Sequence, residues 1–123
     1  MGIKRIIASA DNTITNAFKS NLTERGTDAN MGESDILEVF SIFAQVNSSS
    51  IEKSRVLIQF PVEEIQSLRA KNIIPASGNG VKFFLKLYNV PHGQTVPEKY
   101  HLNVLPCVRS WEEGYGLDME SYL

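Results

Sequence analysis

At 123 residues the chain has room for one domain with a sizeable core and not for two. An apolar fraction of 42% is that of an ordinary globular protein. A net charge of −2, with both signs interspersed, leaves no basic block to track phosphates and argues against a nucleic-acid partner. The single cysteine, Cys107, excludes an intramolecular disulfide. No apolar run has the length of a membrane span or a signal peptide.

In chain order, Ile3 to Ala8 is a short β-branched run that reads as a first strand. Asp11 to Ala17 alternates weakly and is rich in Thr and Asn, a strand with poor edges. Lys19 to Ser34 is a long polar connection carrying Gly26, Asp28, Asn30 and Gly32, strong in turn chemistry and without periodicity. Ile36 to Val46 is a strong strand by its aromatic and β-branched content, although Ser34 could cap a helix starting at Ile36. Ser54 to Phe60 is the next strand, with Val56, Ile58 and Phe60 on one face and Arg55, Leu57 and Gln59 on the other. Pro61 then opens a short helix over about 61–70. Glu63 and Glu64 lie in its favourable first turn, Val62, Ile65 and Leu68 form its apolar stripe, and Arg69 and Lys71 sit at its C-terminal end.

Val81 to Tyr88 alternates best of all. Val81, Phe83, Leu85 and Leu87 face one way, and Lys82, Phe84, Lys86 and Tyr88 face the other. Lys99 to Val108 repeats the theme until Pro106 breaks the ladder. Within it Cys107 is expected to be a buried, inert thiol. Five to six strands, one short helix and long polar loops predict an all-β fold, an antiparallel β-sandwich of jelly-roll type. The expected organisation is a single β-sandwich domain over 1–123. The Trp111-to-Leu123 block ends without a closing turn, which also suits the N-terminal fragment of a longer protein.

Chemistry is sparse. His92 and His101 lie in no zinc-binding spacing, and Cys107 with either His is a weak nucleophile pair. Glu112, Glu113, Asp118 and Glu120 offer carboxylates for glycoside hydrolysis or for calcium, but no calcium-loop motif is present and a solvated acidic surface is the plainer reading. Trp111, Tyr115 and Tyr122 suit either stacking on a sugar or contact with a protein. Asn21-Leu-Thr23 and Asn47-Ser-Ser49 match glycosylation sequons, which arise readily by chance.

Several stretches occur together in a fixed order. Ala10-Asp11-Asn12-Thr13-Ile14 precedes Asn30-Met31-Gly32 and Ile36-Leu37-Glu38-Val39. Ser54-Arg55-Val56-Leu57-Ile58-Gln59-Phe60, the short helix and Ile74-Pro75-Ala76-Ser77-Gly78 follow. Phe84-Leu85-Lys86-Leu87-Tyr88 and Trp111-Glu112-Glu113-Gly114 close the series. In that order and spacing the chain resembles the DNRLRE-type β-sandwich domain, a family named for its sequence motif, in the form similar to structural proteins of large tailed bacteriophages. The resemblance covers about Ala10 to Tyr122 and sets Arg55, Phe60, Trp111 and Glu113 on family positions. It implies a non-enzymatic sandwich on a virion, cell surface or secreted protein, with no catalytic residues. Such domains continue past the Trp motif with further strands, so exposed strand edges here would need a cover.

The expected function is therefore a bacteriophage virion structural protein, a decoration, neck or tail-fibre component, working through contacts with other virion proteins and with copies of itself. The alternative is a carbohydrate-binding module on a host-recognition fibre or secreted protein. Trp111, Tyr115, Tyr122, Phe84 and Tyr88 are the candidate interface or glycan contacts. No cofactor is expected beyond calcium, and neither nucleic acid nor membrane is an expected partner.

Overall fold

The computed structural model describes residues 2–76, 79–93 and 96–121. Three strands and one helix follow in order: β1 (Ala10–Thr15), β2 (Ser41–Phe43), β3 (Ile51–Gln59) and α1 (Val62–Ala70). The strands form one antiparallel sheet in the order β1-β3-β2. β3 takes the centre because it is the longest strand, so it can pair on both sides. Its register sets Asn12 opposite Leu57 and Thr13 opposite Val56 on β1, and Ile42 opposite Glu52 on β2. Opposed residues share a face. Asp11, Thr13 and Thr15 therefore lie on the same side as Ile58, Val56, Ser54 and Glu52, while Ile14, Leu57 and Phe43 lie on the other.

The buried centre is mostly polar. Among the described residues, Asn12, Thr13, Thr15, Ser50 and Glu52 are buried beside only two buried apolar residues, Ala17 and Met31. Burial of polar groups is tolerable where they are bonded. The Thr13 hydroxyl accepts from the Glu38 N–H at 3.2 Å. The Thr15 hydroxyl donates to the Lys53 carbonyl at 2.8 Å and accepts from the Ala17 N–H at 3.0 Å. Glu52, with no exposed surface, accepts from the Phe18 N–H at 2.7 Å. With its amide nitrogen turned toward the same carboxylate, Gln45 donates to Oε2 at 2.6 Å and Oε1 at 2.9 Å.

α1 begins after Pro61, which stands at the N-cap with extended geometry rather than inside the first turn. Its carbonyl accepts the Glu64 N–H at 3.1 Å. The helix ends in a Schellman motif. Asn72 adopts the left-handed conformation, its N–H bonds the Arg69 carbonyl, and the Ile73 N–H reaches the Leu68 carbonyl at 2.9 Å. No helical side chain is buried.

Several sequence expectations need correction. Ile3 to Ala8 forms no strand, and Ile3 and Ile7 are exposed. The Ile36 to Val46 strand shrinks to three paired residues, Ser41–Phe43, ending where Ala44 adopts a left-handed conformation. Among the described residues no helix or strand follows α1, so Val81 to Tyr88 and Lys99 to Val108 form no paired strand. Cys107 is exposed, its thiol donating to the Arg109 carbonyl at 3.2 Å, because the strand expected to bury it does not pair. The expectation of a mostly strand-built antiparallel fold with one short helix holds at this level. A sandwich requires a second sheet, and one sheet is described. Among the described residues no helix is long and apolar enough to cross a membrane.

Candidate functional site

The residues brought together from farthest apart in the sequence are Asp11 and Asn12 of β1, Asn30 to Glu33, and Glu113 to Gly116. β1 is an edge strand, and its outer backbone groups need partners. Glu113 supplies one: its Oε1 accepts the Asp11 N–H at 2.9 Å. The main-chain carbonyl of Glu113 accepts two side-chain amides, Asn12 Nδ2 at 2.8 Å and Asn30 Nδ2 at 3.0 Å. Asn30 works in both directions, since its Oδ1 accepts the N–H groups of Gly32 at 3.1 Å and Gly116 at 2.7 Å. The Glu33 N–H closes the ring on the Gly116 carbonyl at 2.9 Å.

Glycine permits this approach. A Cβ on Gly32 would collide with the carbonyl of Glu113, and one on Gly116 with the carbonyl of Asn30. Gly114 has φ of 75°, a left-handed backbone in which a Cβ would also strike the Asn30 side chain. Farther along, Met119 covers Gly26, and Glu120 accepts the Ser20 N–H at 2.7 Å. Asp118 accepts the N–H groups of Glu120 and Ser121 at 2.9 and 3.0 Å, an Asx turn. The closing block is therefore docked on the N-terminal strand and its loop.

Asn30 is the hub, and its replacement separates shape from donor chemistry. Asn30→Ala leaves the Gly32 and Gly116 N–H groups without their acceptor and strips the Glu113 carbonyl of one of its two donors, and is expected to cost about 2 kcal/mol. Asn30→Asp keeps both accepting bonds but faces an oxygen to the Glu113 carbonyl, so it should not restore stability. Urea midpoints followed by Trp111 fluorescence check this; an Asn30→Asp protein as stable as wild type would sink the donor role.

Electrostatics at the junction are unfavourable on one point. Asp11 is half-buried and faces Glu113, and burial first and the Glu113 charge second push its carboxyl above the ordinary value of 3.8. The folded state thus binds this proton more tightly than the unfolded state. The Asp11 contribution to stability is greatest below 3.8 and declines as pH rises through the folded pKa. Asp11→Asn should therefore be more stable than wild type at neutral pH, with the gap closing toward 3.8. Denaturation midpoints of the two proteins across that range measure it; a gap independent of pH contradicts it.

The residues singled out from sequence scatter. Trp111 is half-buried, whereas Tyr115 and Phe84 are each 85% exposed and Tyr88 is 76% exposed. Tyr122 lies outside the described residues. The Lys86 ammonium sits 5.0 Å from the Tyr88 ring centre. Of the acidic set, Glu112, Asp118 and Glu120 are exposed as expected, but Glu113 is not simply solvated. Among the described residues no three His, Cys, Asp or Glu side chains come close enough to hold a metal ion. Of the positions taken from the family resemblance, Arg55 is exposed on β3 and Phe60 is exposed just past its end. The joining of Asn30 and Gly32 to Gly114 and Gly116 is not foreseen from sequence. Its only signal is glycine at spacing of two beside an Asn-containing turn. Compared with known proteins, the chain matches no family, no characterised protein and no solved structure.

Proposed function

We propose that the chain is a non-enzymatic structural component of a bacteriophage virion, in a decoration, neck or tail-fibre position, acting through protein–protein contacts. The observation that carries this reading is the pair of exposed segments 81–88 and 99–108. Their apolar residues alternate with polar ones as in a strand, yet Phe83, Leu85, Leu87, Tyr100, Leu102 and Val104 are all exposed. A surface of this kind marks an interaction site. The resemblance of the ordered stretches to DNRLRE-type domains is what suggests the virion as the setting. On this reading the fold completes as an antiparallel β-sandwich of jelly-roll type when the exposed segments are covered. Mass spectrometry of purified particles from the source tests it. Peptides of this chain at fixed stoichiometry support the proposal, and particles without them overturn it.

A second reading, a carbohydrate-binding module, is favoured by one observation: Tyr115 is fully presented near the half-buried Trp111 in the chain. A glycan array read with wild type and Tyr115→Ala decides it. Saturable binding lost in the variant supports the module, and no binding removes it.

A further inference from the structure

We infer that the arm over 81–88 is covered by a second copy of this chain, adding as a strand to the open edge of β2 (Ser41–Phe43). The inference rests on the assembly reading above and names its partner. The first ground is area. The chain exposes 10495 Å², whereas a compact folded chain of this mass exposes about 6,600 Å². The excess of roughly 3,900 Å² per copy exceeds the about 1,000–2,500 Å² per copy that an obligate interface of about 2,000–5,000 Å² in total buries. A small face-to-face contact would leave most of it in water.

The second ground is charge. Residues 81–109 carry four Lys and Arg against one Glu, a net +3, while the remaining residues carry eight against thirteen, a net −5. A basic arm and an acidic body attract each other between copies and steer the encounter. The third ground is the matching edge. β2 lies at the side of the sheet opposite β1, and no strand lies beyond it among the described residues. Glu33, Asp35 and Glu38 are exposed on its approach, interleaved with exposed Ile36, Val39 and Phe43. The arm presents the complement: Lys82 and Lys86 on the side that also carries Phe84 and Tyr88, and an alternate apolar row behind them. Strand addition gives the backbone of 81–88 partners on the outer side of β2, and the lysines discourage pairing with edges that lack acid.

Sedimentation velocity at micromolar concentration tests the inference on the full chain and on two variants. Wild type is expected at the mass of two or more copies. Lys82→Glu with Lys86→Glu, and separately Asp35→Lys with Glu38→Lys, should each run as monomers with unchanged Trp111 emission. These are exposed positions, so folding is preserved. The two variants mixed should associate again, because each arm then meets an edge of opposite charge. A monomeric wild type, variants that associate as before, or a mixture that stays monomeric each overturn the inference. Failure here is distinct from failure of the virion reading, because a chain monomeric in solution yet present in particles at fixed stoichiometry retains the latter and loses only the former.

Discussion

Alanine at position 32 is expected to undo the docking of the closing block. The Cβ would occupy space held by the Glu113 carbonyl, and both groups are backbone, with no flexible side chain able to yield. Relief requires Asn30–Gly32 or Glu113–Gly116 to move, which breaks the ring of bonds through Asn30. The cost is more than about 3 kcal/mol, at the upper end of overpacking penalties, because steric strain and lost hydrogen bonds coincide. Gly116→Ala should behave alike, its Cβ meeting the Asn30 carbonyl. Gly93→Ala is the control, since nothing lies within 4 Å of a Cβ there. The single tryptophan lies in the docked block, so its emission reports the change. Urea titrations in which Gly32→Ala and Gly93→Ala have equal midpoints would refute the docked geometry.

Removal of the Glu52 carboxylate is expected to cost about 3 kcal/mol, from bonds lost at the Phe18 N–H and Gln45 and from the space left behind. Glu52→Leu is the severe case, since it places an apolar group where two donors point. Glu52→Gln keeps the shape. Its oxygen can serve the Phe18 N–H, and the Gln45 amide can turn its own oxygen toward the new NH2 group, so the loss should stay below about 1 kcal/mol. Chemical denaturation of the two variants separates acceptor chemistry from volume. Equal losses would mean that Glu52 acts through packing alone.

Local signals in the sequence carry the elements whose causes are local. Pro61, Glu63 and Glu64 place α1 within a residue or two, because capping and dipole effects act over one turn. The alternation of Arg55, Leu57 and Gln59 against Val56 and Ile58 gives the two faces of β3, because side-chain period is a property of the strand itself. What alternation does not carry is pairing. Val81 to Tyr88 has the cleaner pattern yet lies unpaired, while Ala10 to Thr15, polar and weakly patterned, is a full edge strand. β1 is held by hydroxyl and amide bonds and by Glu113, whose partners lie far along the chain. A window of about ten residues cannot show them. The same holds for Glu52: a glutamate within a strand reads as a solvent-facing residue until Phe18 and Gln45 are seen around it.

The bond between Asp11 and Glu113 spans 102 residues. Closing a loop of that length costs about 4 kcal/mol in chain entropy before any contact is made. The docking bonds must therefore form nearly together, since one or two of them do not offset that cost. Synthesis adds a temporal order: at about 5–20 residues per second, β1 waits roughly 5–20 s for Glu113 to be made. The arm over 81–109 emerges during that wait with one end free. Once the block docks, the arm is anchored at both ends, and any strand exchange with another copy must then proceed as a looped segment rather than a trailing tail.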